Sequence, residues 1–181
     1  MRNAVEAAGK AQPGWDKRTG FNRSQILFYW AENLEQRRQE LVDHLVAVTG
    51  QSVEQAGREV DASVTRLFHW AALCDKYGGS VQETQLYGTV LRVNEPIGVV
   101  GVACPDEAPL LAFVSLVAPA VARGNAVVVV PSEKYPTVPL SLYQVRLCLE
   151  IGALFVHIYV AGNGNFYQAC FHEVCTNCNQ V

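Results

Sequence analysis

The sequence predicts an α/β protein in which N-terminal helices pack on a βαβαβ parallel sheet. Two long stretches before residue 79 repeat apolar residues at helical spacings of three and four. Two valine-rich runs, "IGVVGVAC" from Ile97 and "NAVVVV" from Asn125, are almost wholly apolar and flank a stretch that opens with Pro109. Half of the 181 residues are hydrophobic, enough to bury a core of ordinary size in one domain, or in one large domain with an appendage.

The first third reads as helices, over about residues 3–79. Leu27, Trp30, Leu34, Leu41, Leu45 and Val48 form one apolar stripe, with Glu32, Glu35, Arg37, Arg38 and Glu40 opposite, on a helix that Gly50 stops. Ser52 followed by Gln55 signals a capping box. Val53, Ala56, Val60, Val64, Leu67, Ala71 and Cys74 then carry a second helix toward Gly78-Gly79. His44 and His69 lie on these helices without partners at metal spacing and read as surface or core residues.

Residues 86–95 alternate as an extended strand punctuated by Gly88 and Pro96. With no hairpin partner nearby, the strand is expected on a sheet edge, where it offers a subunit contact. From Ile97 the pattern becomes strand, helix over Pro109–Ala122, strand, helix over about Val138–Glu150, and a third strand over Ala153–Val160. Continuous apolar strands joined by helices are the mark of parallel strands buried on both faces.

Charge excludes some functions. The 14 basic and 17 acidic residues leave a net charge of −3, and no run of like charge suggests a nucleic-acid arm. Neither a signal-peptide core nor an apolar span of membrane length occurs, so a soluble, cytoplasmic protein is expected. The six cysteines are scattered through apolar segments and read as reduced thiols.

Ligands of doubly wound sheets bind at the carboxyl ends of the strands, which points to Pro105–Ala108 and Pro131–Lys134. Glu107 reads as a general acid or base, or as a carboxylate favoured by the dipole of the following helix. Glu133 stands where an acidic residue accepts from ribose hydroxyls. "AGNGNFYQA", from Ala161, lacks the third glycine of a dinucleotide fingerprint and follows the third strand instead of the first. Cys170, His172, Cys175 and Cys178 are zinc-ligand types, yet no distant second pair closes a loop around an ion, and an exposed tail is the preferred reading.

"EPIGVVGVACPDEAPLL" followed by "APAVARGNAVVVVPSE" resembles the aldehyde dehydrogenase superfamily, as do "AAGKAQPGW" and "DKYGGSV". The Cys-Pro-Asp-Glu-Ala-Pro and Val-Val-Val-Val-Pro-Ser-Glu forms are most similar to the second such unit of the family 16 member. The resemblance makes residues 1–142 a cofactor-domain portion of a partial aldehyde-dehydrogenase-like fold and leaves 143–181 as a divergent segment.

Active relatives carry Pro-Trp-Asn-Phe-Pro at the first loop. The resemblance therefore puts Asp106 at the tryptophan and Glu107 at the asparagine that donates to the oxyanion. An ionised carboxylate cannot donate there and repels developing negative charge; one lost donor costs about 2.7–4 kcal/mol in a comparable site. At the second loop the family lysine is replaced by Val130, while Glu133 remains, with Ser132 and Pro105 beside the implied cofactor. NAD or NADP is thus implied, held weakly. The nucleophilic cysteine and general-base glutamate belong to a later part of the family's fold, so this chain is expected not to oxidise aldehydes. Cys104, without a cationic neighbour, is no substitute. A non-catalytic scaffold that binds other proteins, or its own copy through the 86–95 strand, is the competing expectation.

Overall fold

The structure, a computed structural model, describes residues 2–85, 87–147, 156–162 and 165–169. Four helices come first: α1 (Arg2–Asp16), α2 (Gly20–Gln36), α3 (Arg38–Thr49) and α4 (Val53–Leu73). A short hairpin follows, β1 (Ser80–Gln82) and β2 (Val90–Arg92). The main layer then runs β3 (Val99–Ala103), α5 (Pro109–Ala122), β4 (Ala126–Val130), α6 (Thr137–Leu147), β5 (Val156–Gly162) and β6 (Asn165–Ala169). The chain is α/β, with helices packed on a sheet of order β3-β4-β5-β6; β3, β4 and β5 are parallel and β6 is antiparallel.

The helix expected through Leu27–Val48 is two helices. It breaks at Arg37 (φ −95°, ψ 18°), whose N–H still bonds the Asn33 and Glu35 carbonyls, while its guanidinium pairs with Glu40. Leu41, Val42 and Leu45 stay buried across the break, because α3 turns its own stripe to the same core. Gly50 ends α3 in the left-handed region at φ 72°, where a side chain would be strained. The Ser52–Gln55 capping box opens α4 with both reciprocal bonds formed.

The stretch expected as a lone strand over 86–95 is paired over Val90–Arg92, and its partner is β1: Ser80 faces Arg92 and Gln82 faces Val90. β1 and β2 are exposed along their whole length. The expectation that both apolar runs are buried on both faces holds for β4, whose Ala126–Val129 are all buried between α1 and α5. β3 is half-exposed because it stands at the edge of the described sheet.

The amphipathic α4 lies between α2 and α5, and Trp15, Leu27, Leu34, Leu67, Leu110 and Phe113 fill the core. Each such aliphatic side chain stabilises the fold by about 1.5–3 kcal/mol. α5 is capped at its carboxyl end by remote side chains. The Trp15 indole donates to the Val121 carbonyl at 2.8 Å, Arg23 Nε to Ala122 at 3.2 Å, and Gln12 to Gly124 at 3.2 Å. Gly124 (φ 87°) then turns the chain, and buried Asn125 accepts from the N–H groups of Ile97 and Gly98, tying the start of β3 to the end of α5. No helix among the described residues is long and apolar enough to cross a membrane.

Candidate functional site

β3 and β4 run in parallel register to their ends, Ala103 opposite Val130, and the Cys104 N–H closes the ladder on the Val130 carbonyl at 2.9 Å. The loops that leave these ends, 104–108 and 131–136, therefore start side by side. Asp106 joins them. Its Oδ1 accepts the Ser132 hydroxyl at 2.6 Å, and its Oδ2 lies 3.2 Å from Lys134 Nζ. Ser132 is buried, and its Oγ also accepts the Tyr135 N–H at 3.1 Å. The Ser132 hydroxyl holds the Asp106 carboxyl below its ordinary range, with Lys134 adding to the effect, and Asp106 in turn raises the Lys134 ammonium above its own.

Glu107 and Glu133 are both exposed, as is Pro105, and Val130 is half-buried at the end of β4. Ala108 adopts a left-handed conformation (φ 47°) immediately before α5, a backbone cost of order 1–3 kcal/mol that surrounding contacts must offset. The principal contact is Glu59, a buried carboxylate on α4. Its Oε1 accepts the N–H groups of Leu110 at 2.9 Å and Leu111 at 3.3 Å, and Gln51 donates to Oε2 at 3.1 Å. The positive end of α5 is thereby filled from within the protein. Sequence reading passed over Glu59; the signal was a carboxylate set on the apolar stripe between Ala56 and Val60.

Cys74 and Cys104 are free thiols, each pushed up to about 11 by burial, so neither supplies thiolate near neutrality. The described residues hold no group of three metal-ligating side chains, and Cys170, His172, Cys175 and Cys178 lie outside them. Of the Ala161–Ala169 segment, Ala161 and Gly162 end β5 and Asn165–Ala169 are the antiparallel β6, with Gly162 facing Asn165, while residues 163–164 lie outside the described residues. Two cavities lie away from the loops. One, of about 320 Å³, is lined by Glu40, Leu41, His44, Thr137, Leu140 and Ser141. The other, of about 260 Å³, is lined in part by Arg23, Asp75, Asn94 and Arg123. The chemistry-bearing groups sit at the strand ends, where Glu107 and Glu133 are exposed and Ser132 is buried.

The model of the aldehyde dehydrogenase family matches residues 1–158. The vanillin dehydrogenase of Corynebacterium glutamicum is 35% identical over 74% of this chain and 28% of that protein. The betaine aldehyde dehydrogenase of Bacillus subtilis is 30% identical over 78% of this chain and 29% of its own length. Among solved structures, betaine aldehyde dehydrogenase from Staphylococcus aureus in complex with NAD+ superposes with a TM-score of 0.83 at 26% identity, covering 89% of this chain and 32% of that one. The chain thus spans about a third of the length of the relatives it matches.

Proposed function

Because the chain belongs to the aldehyde dehydrogenase family, we propose that the loops after β3 and β4 form the ribose end of a nicotinamide-cofactor site. We further propose that these 181 residues bind the cofactor without oxidising aldehyde. The observation that carries the reading is Glu133, an exposed carboxylate three residues beyond the end of a buried parallel strand, where ribose hydroxyls find an acceptor. The fit is to the ribose alone. Glu59 already fills the amino end of α5, so a pyrophosphate finds no free N–H groups there. Bound nicotinamide would supply the electron acceptor for aldehyde oxidation to a carboxylic acid.

Absence of turnover rests on two features. Glu107, at the position the family resemblance gives to the oxyanion donor, has no donor to offer when ionised. Both described thiols stay protonated at neutral pH. A nearer kinship to the second unit of the family 16 member belongs to the same proposal and rests on the Cys104–Pro109 and Val127–Glu133 stretches. The cytoplasm is the compartment proposed, on the unpaired thiols of Cys74 and Cys104.

Titration with NADH, read by energy transfer from tryptophan to nicotinamide, tests the proposal on a sample shown to be folded by far-UV circular dichroism. Saturable micromolar binding is expected, weakened roughly tenfold by Glu133→Ala. A folded sample that fails to bind, or that sustains aldehyde-dependent NADH production, overturns it.

The scaffold reading is favoured by a separate observation. Val81, Leu91 and Val93 are 71%, 66% and 69% exposed on and beside the β1–β2 hairpin, an apolar surface suited to a second copy of the chain.

A further inference from the structure

The loops at residues 104–108 and 131–136 carry one basic side chain, Lys134, and three carboxylates, those of Asp106, Glu107 and Glu133. The Lys134 side chain is 68% exposed, yet its ammonium turns back to Asp106 Oδ2 at 3.2 Å. That carboxylate is fixed through its other oxygen by the hydroxyl of buried Ser132 at 2.6 Å. Ser132 is itself set by the Tyr135 N–H, so the pair belongs to a jointed loop structure rather than to two free side chains. The negative charge of Glu107 also acts on Lys134. A carboxylate and a phosphate ester seek the same contact with an ammonium group.

We propose that Asp106 stands in for a cofactor phosphate at Lys134, so that the site takes the nicotinamide dinucleotide with a free 2′-hydroxyl and rejects the 2′-phosphorylated form. The inference rests on the reading of these loops as the ribose end of a cofactor site. A 2′-phosphate would bring about two further negative charges to an ammonium already engaged by Asp106 and under the charge of Glu107, in loops whose one other charged side chain, Glu133, is also acidic. Neutralising Asp106 removes one repulsive charge and frees the ammonium in the same step. An asparagine at that position keeps an acceptor for the Ser132 hydroxyl.

NADH and NADPH titrations of the unaltered chain, Asp106→Asn and Asp106→Asn/Lys134→Ala test the inference, each with a far-UV spectrum. The unaltered chain binds NADH more tightly than NADPH. Asp106→Asn tightens NADPH by roughly tenfold while NADH changes by less than about threefold, and the double variant loses the gain. Asp106→Ser gives the same readout should the amide disturb the loop. An unchanged ratio of the two affinities in Asp106→Asn, with NADH still bound saturably, overturns this inference and leaves the ribose-site reading standing. Failure of every folded variant to bind either cofactor overturns both.

Discussion

Glu59 is the residue on which the loop before α5 most depends, because three polar groups converge on one buried carboxylate. Glu59→Leu leaves the Leu110 and Leu111 N–H groups without their acceptor and is expected to lower stability by about 2–4 kcal/mol in urea unfolding. Glu59→Gln keeps one acceptor and costs less. Glu54→Gln, an exposed change on the same helix, stays within about 0.5 kcal/mol. The thiols make a pH prediction. Burial raises Cys74 and Cys104 from 9.0 to about 11, so folding favours their protonated forms. Their contribution to stability is fully present below pH 9 and is lost as pH rises through about 11. The urea midpoint should fall over that window, and the double variant Cys74→Val/Cys104→Val should fall less.

Among the elements, α4 and α5 were the most legible because local chemistry marks their starts. Ser52 and Gln55 close a reciprocal cap, and Pro109 stands at the first turn of α5. Ser52→Ala is expected to cost about 1 kcal/mol, read by thermal or urea unfolding. The break at Arg37 was not legible, since no glycine or proline marks it and the apolar stripe resumes within one turn. β1 escaped notice for a different reason: a three-residue strand carries too little alternation to stand out, and its pairing with β2 is set by backbone, with all six residues exposed. The positions of Glu107 and Glu133 at strand ends could be read from the apolar runs before them. The clasp of Asp106 on Ser132 and Lys134 could not, because its partners lie 26 and 28 residues apart and meet only through the register of β3 and β4.

For the whole molecule, the exposed hairpin is the surface on which the proposed self-association is tested. Leu91→Arg replaces a 66%-exposed apolar side chain with a charge and should shift the chain toward monomer in sedimentation velocity. A monomeric unaltered chain at tens of micromolar removes the support for the hairpin as a contact. The remote capping of α5 has a consequence for the order in which the molecule can be made. Gln12, Trp15 and Arg23 bond carbonyls that lie 112, 106 and 99 residues further along the chain. At synthesis rates of about 5–20 residues per second, roughly 5–20 s pass between the emergence of α1 and that of its partners. For that interval Trp15 has no Val121 to bond and α1 has no β4 to pack on, so the first helix made is among the last to settle. A nascent-chain experiment with stalls before and after Gly124 would see α1 become protected from protease only in the longer chain.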